Sequence, residues 1–262
     1  MTDRLLNERT ESGIAVLTIN RPHARNALNI ATMRAFADVV EALHNDDDLR
    51  AVIVTGAGTD SFCSGGDLHE LSQHTTEEQA RAFITLMGNA LNRLETLPVP
   101  VFGAINGYAL GGGSEVALAC DLRIADEHAR MGFVHVRLAV TPGWGAGQRL
   151  MRLVGYSRAM QMLLRGRIMH APELEALGLV NKVVPSGEAL RHALYTAEHV
   201  AAMPPELPRS IKALLRAGLE QPYHEALQTE RDLFPPLWAG EAHHAAVQTF
   251  LNRHNKDNGV KR

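Results

Sequence analysis

The sequence predicts an α/β fold that gives way to a helical C-terminal region. Three observations predict it: short apolar runs of strand length recur through the first two thirds of the chain, helix-spaced apolar stripes lie between them, and strand signals stop near residue 185. The 262 residues suffice for one large core, with a smaller appendage if needed.

The elements follow in order. Gly13 to Asn20 (GIAVLTIN) reads as a buried strand ended by Arg21-Pro22. Ile30 to His44 carries Ile30, Met33, Phe36, Val39, Val40 and Leu43 at helical spacing. Ala51 to Thr55 (AVIVT) is a second buried strand, followed by a Gly-rich turn. Glu77 to Leu97 predicts a long amphipathic helix with Phe83, Leu86, Met87, Ala90, Leu91 and Leu94 on one face. Val99 to Ile105 is a third strand, Ser114 to Cys120 a short buried helix, and Leu122 to Ala125 and Val180 to Val184 are later strands. The pattern divides into a core over residues 1–185 and a helical region over 186–262, punctuated by Pro204, Pro205, Pro208, Pro222, Pro235 and Pro236.

Composition removes several function classes. A formal net charge of −3 gives no global positive field to hold nucleic acid. Two cysteines, Cys63 and Cys120, do not make a disulfide scaffold, and a reducing cytoplasm is the expected setting. The first residues lack the apolar stretch of a signal peptide, and the longest uncharged run suits a strand and loop better than a membrane span. The thirteen histidines show no zinc-like spacing, so no metal is expected.

Three Gly-rich segments carry the chemistry. In Thr55 to Leu68 (TGAGTDSFCSGGDL), a strand and the Gly56-Ala57-Gly58 turn invite comparison with a dinucleotide fingerprint, but Ser61 stands where the third glycine belongs. The informative part is Ser64-Gly65-Gly66-Asp67, where a backbone N–H is able to approach a substrate oxygen closely. In Asn106 to Asp121 (NGYALGGGSEVALACD), three glycines run into a short apolar helix, whose N-terminus offers free N–H groups to an oxygen gaining negative charge. A hydrolase elbow fails there, because Val116 stands where the second glycine of Gly-x-Ser-x-Gly is required. Glu115 lies in the first helical turn. A surface position would make it a dipole-stabilising residue; burial among Val116, Ala117 and Leu118 would suit it to acid/base work. The third segment, Phe133 to Leu150, holds His135 and Pro142-Gly143-Trp144-Gly145.

Together these segments resemble the crotonase (enoyl-CoA hydratase/isomerase) superfamily. The matching pieces are NRPHARNALN at 20–29, AVIVTGAGTDSFCSGGDLHEL at 51–71, INGYALGGGSEVALACDLRIA at 105–125, VTPGWGAGQRLMRLVG at 140–155 and APELEALGLVNKVVP at 171–185. The resemblance implies a spiral of ββα units with a helical C-terminal region that builds trimers or dimers of trimers. It implies an acyl-CoA substrate, with coenzyme A present as part of the thioester and no separate cofactor. It places two oxyanion-hole amides at Gly66 and Gly112 and an acid/base at Glu115. It suggests that the CoA moiety lies along Ala24, Ala27, Leu28, Gly65, Asp67 and Leu68, with Arg253 or Lys256 meeting its phosphates.

The sequence departs from the hydratase pattern at one position. The second glutamate of that pattern is His135 here. RMGFVH at 130–135, VTPGWG at 140–145 and EALQTERDLFPPLWAG at 225–240 look like the ethylmalonyl-CoA decarboxylase branch. That likeness implies His135 orienting a substrate carboxylate or supplying a proton, with Trp144 and Trp238 walling the pocket. Hydratase/isomerase action through Glu115, decarboxylation of a malonyl-type CoA through His135, and non-catalytic acyl-CoA binding are the three functions compatible with these residues.

Overall fold

The computed structural model describes residues 4–259, with side chains through residue 252. The chain divides into two compact units, one ending at Ala201 and the other beginning at Ala202. In the first, the strands are β1 (Leu5–Arg9), β2 (Ile14–Ile19), β3 (Ala51–Gly56), β4 (Ser61–Cys63), β5 (Val101–Ile105), β6 (Tyr108–Leu110), β7 (Leu122–Asp126), β8 (Arg130–Gly132), β9 (Ile168–His170) and β10 (Lys182–Val184). The helices are α1 (Ile30–His44), α2 (Leu68–Leu71), α3 (Glu77–Glu95), α4 (Gly112–Leu118), α5 (Ala146–Val154), α6 (Tyr156–Arg165), α7 (Ala171–Ala176) and α8 (Ala189–Ala201).

The strands form two sheets. The larger has the order β1-β2-β3-β5-β7-β10 and is parallel except for the β1–β2 hairpin. The smaller has the order β4-β6-β8-β9, with only β8–β9 antiparallel.

The continuous apolar runs have a direct explanation. In β2, Ala15, Leu17 and Ile19 face one core while Ile14 and Val16 face another. In β3, Val52 and Val54 alternate in the same way with Ala51 and Ile53. A strand covered on both faces has no polar side to show, so its sequence does not alternate. The first core takes in the buried faces of α1 and α3, including Met33, Phe36, Val40, Met87, Leu91 and Leu94. Helix α1 begins at Asn29, whose side chain accepts from the Thr32 amide; α3 begins with a capping box between Thr76 and Gln79.

The second core is closed by α8, which lays Ala189, Ala193 and Ala197 against the sheet. Buried Asp126, at the end of β7, accepts from the amides of Glu188 and Ala189 and caps that helix. This is why the structural boundary falls after Ala201 and not at 185, where strand signals end. Helix α8 is helical in pattern but belongs to the sheet's packing. The second unit holds α9 (Glu206–Glu220), α10 (Tyr223–Trp238) and α11 (Glu241–Gly259), with α9 packed on α10. Among the described residues no helix is long and apolar enough to cross a membrane.

Candidate active site

The three Gly-rich segments meet in the first unit. The 55–68 segment leaves β3, turns, forms β4 and then runs through residues 64–67 into α2. An isolated parallel bridge fixes it. Leu28 donates its amide to the Gly65 carbonyl at 2.7 Å, and the Asp67 amide donates to the Leu28 carbonyl at 2.9 Å. Gly66, between those two bonds, has an amide with no acceptor among the described residues.

The 106–121 segment supplies the second turn. Helix α4 starts at Gly112, two residues before the position that apolar spacing predicts, so the glycines are its first turn. The Gly112 amide also has no acceptor among the described residues, as expected for a first-turn N–H. The two turns touch backbone to backbone. Gly65 has φ +95, and a Cβ added there would sit 2.9 Å from the Gly112 amide nitrogen. Only glycine satisfies both the angle and the approach. Ser114 is excluded as a nucleophile, since its hydroxyl lies buried against the carbonyls of Ala109 and Gly132 at 2.7 and 3.0 Å.

Glu115, on the same turn of α4, is buried at 2 % exposure. Its Oε2 accepts from the main-chain amides of Trp144 at 2.7 Å and Ala146 at 3.0 Å. Its Oε1 lies 3.0 Å from His135 Nε2 and 3.4 Å from the Gly143 amide. Burial is as the sequence suggests, but the carboxylate is not bare: four donors replace the water it has lost. His135 enters from a 3-10 turn over Val134–Leu138. The Trp144 indole, also buried, packs on Gly112 so closely that a Cβ there would lie 2.1 Å from Cζ3. Gly66, Gly112, Glu115 and His135 are therefore joined by direct contacts or single intermediates.

The residues expected along a CoA moiety separate by exposure. Leu68 is 54 % exposed and Ala24 is half-buried on a short 3-10 turn. Ala27 and Leu28 are buried, and both main-chain groups of Leu28 are bonded to residues 65–67, so that it ties the two segments together. Asp67 caps α2 by accepting from the His69 amide, and it pairs with Arg21 at 2.8 Å. Burial works against the Asp67 charge, but the hydrogen bond and attraction of Arg21, with help from the His69 amide, outweigh it and hold the carboxyl below its usual range. Arg21 also donates to the Ala27 carbonyl, a brace that the motif reading did not single out. Cys63 is buried beneath this loop, and burial pushes its thiol up to about 12, despite the Gly65 amide nearby; it is no nucleophile.

Trp238 stacks between Phe234 and His243 within the second unit. The side chains of Arg253 and Lys256 lie outside the described residues. Among the described residues no group of three or more His, Cys, Asp or Glu is arranged to hold a metal ion. The donors that sequence reasoning missed are main-chain amides, those of Trp144 and Ala146 above all. The Pro142-Gly143-Trp144-Gly145 run was the available signal that this loop adopts a special path.

Comparison with known proteins identifies the family of the chain. The sequence profile of a family described as enoyl-CoA hydratase/isomerase matches residues 9–258. A short-chain-enoyl-CoA hydratase of Clostridium acetobutylicum is 39% identical over 243 residues, 93% of either chain. A 2,3-dehydroadipyl-CoA hydratase of Escherichia coli is 36% identical over 244 residues, 93% of this chain and 94% of its own. The crystal structure of an enoyl-CoA hydratase from Bacillus anthracis superposes with a TM-score of 0.90 at 33% identity, covering 96% of this chain and 97% of that one.

Proposed function

Because the chain belongs to the enoyl-CoA hydratase/isomerase family of the crotonase superfamily, we propose that it adds water across the double bond of a short or branched enoyl-CoA thioester. The thioester carbonyl oxygen sits between the Gly66 and Gly112 amides. The buried Glu115–His135 pair beside them is the acid/base centre. The CoA moiety runs along residues 24–28 and 65–68, where Leu68 is open to a ligand and the Arg21–Asp67 pair stiffens the turn.

One observation carries this reading. Among the described residues of the first unit, two amides without acceptors stand on glycine turns packed backbone to backbone, and the only buried glutamate lies three residues beyond one of them. As water attacks the β-carbon, charge moves onto the thioester oxygen. Two fixed donors stabilise that charge without reorganising, each by roughly 3 kcal/mol in the transition state. The relatives named above carry hydratase names, which supports the same reaction class.

A second reading rests on His135 lying 3.0 Å from Glu115. An imidazole at that place would suit the enolate left when a malonyl-type thioester loses carbon dioxide. One paired assay separates the two. Hydration removes the enoyl absorbance of crotonyl-CoA, and decarboxylation releases carbon dioxide from ethylmalonyl- or methylmalonyl-CoA. Turnover of crotonyl-CoA without carbon dioxide release is the expected result; the reverse pattern overturns the hydratase reading.

A further inference from the structure

We infer that the proton exchanged with water and substrate rides on Nδ1 of His135, and that Glu115 acts as the fixed carboxylate orienting that ring. The inference deepens the acid/base centre proposed above and rests on that reading of the site.

The first argument is capacity. An ionised carboxylate offers about four lone-pair positions. Glu115 Oε2 receives two strong main-chain bonds, at 2.7 and 3.0 Å, and Oε1 receives His135 at 3.0 Å and the longer Gly143 contact at 3.4 Å. Every position faces a donor. To take a proton from water, Glu115 would have to displace one of these, and three of the four are main chain and cannot turn away.

The second argument is the ring itself. An ionised carboxylate only accepts, so the His135 nitrogen facing it, Nε2, carries the hydrogen. In the neutral ring Nδ1 then holds a bare lone pair. Nδ1 is buried and has no hydrogen-bond partner among the described residues, while the side chain as a whole is 11% exposed. Buried nitrogens are nearly always partnered, and this one, on a ring held by Glu115, lacks only a partner that substrate or its water would supply.

The third argument is place. A Cβ added to Gly111 would lie 3.9 Å from His135 Nε2 and 3.7 Å from Val134 Cγ2. The ring therefore rests on the turn whose next residue, Gly112, offers one of the two free amides.

The step balances. Nδ1 removes a proton from water as the water oxygen bonds to the β-carbon. The double-bond electrons move toward the thioester, leaving negative charge on its oxygen between the two amides. The imidazolium, its Nε2–H held by Glu115, then gives the Nδ1 proton to the α-carbon, and the carbonyl re-forms. One water is added and His135 returns to neutral. The arrangement follows the logic of a nucleophile's histidine held by a carboxylate, with water in the nucleophile's place.

Two measurements test it on the full chain. The first is nitrogen-15 spectroscopy of the His135 ring, with and without butyryl-CoA, a saturated thioester that cannot be hydrated. The expected result is a protonated Nε2, a bare Nδ1, and a shift confined to Nδ1 when the thioester binds. A neutral ring protonated on Nδ1, or an Nδ1 indifferent to butyryl-CoA, overturns the assignment. The second uses crotonyl-CoA turnover. In His135→Gln, the side-chain amide keeps a donor where Nε2 was but offers no base. Its kcat should fall about a thousandfold, with KM within about threefold. In His135→Ala, free imidazole should restore kcat at least about tenfold, which lost packing alone would not allow. Retention of kcat within about threefold by His135→Gln sinks the assignment and spares the hydration reading. A wild type inert toward enoyl-CoA, with the nitrogen signature intact, does the opposite.

Discussion

Asp67 shows how a single side chain carries two tasks, since its carboxylate caps α2 and pairs with Arg21 at the turn bearing Gly66. Its folded pKa lies below the ordinary value of 3.8. A depressed acid stabilises the fold while it is ionised, so the contribution is complete above the unfolded pKa and is lost as pH falls through the folded one. Asp67→Asn keeps an oxygen for the cap but loses the charge. We expect its urea midpoint to lie below wild type by a gap that is constant well above pH 3.8 and closes as pH falls below it. A gap independent of pH would show that the pair contributes nothing through its charge. Glu115 illustrates what a sequence conceals at this scale. Its place in an apolar turn is legible, but its partners are amides of residues 144 and 146, whose side chains carry no trace of that duty. His135 stands out only by replacing a carboxylate. That its buried Nδ1 has no partner among the described residues emerges from the fold alone.

At the scale of elements, strong helical spacing and apolar runs are legible, even in the short helix α4 and the three-residue strand β10, whereas the second sheet is not. The spacing of Met33, Phe36, Val40 and Leu43 predicts a helix over 30–44, and α1 has those bounds. The second sheet escaped, because β4, β6, β8 and β9 have three residues each, too few for any period to register. The helical pattern of α8 groups it with the C-terminal region. What joins it to the sheet is the absence of bulk at Ala189, Ala193 and Ala197, together with the cap from Asp126. Ala193→Leu should therefore lower stability by about 1–3 kcal/mol, measured by urea unfolding, through overpacking of the second core. Unchanged stability would mean that α8 is free to lift away without loss.

For the molecule as a whole, the order of motifs along the chain carried more than any one of them. Separate stretches between residues 20 and 185 are spaced so that three of them fold onto Glu115 and its neighbours, and the fold matches solved crotonase structures. The second unit carries a surface that would suit the implied assembly. Helix α9 leaves Ile211, Leu215 and Leu219 exposed at intervals of four, and α10 leaves Phe234 and Trp238 exposed. We propose that this apolar surface is an interface between copies of the chain. Light scattering is expected to give the mass of three or six chains of 28.6 kDa, and a monomer at micromolar concentration would refute the assembly.

The grip of Glu115 on the 143–146 loop has a consequence for readiness. The Trp144 and Ala146 amide hydrogens are clasped by the very anion that steadies the imidazole. They trade with solvent deuterium only when the clasp parts. Their exchange rates thus clock how often the resting molecule disarms itself, with no substrate present.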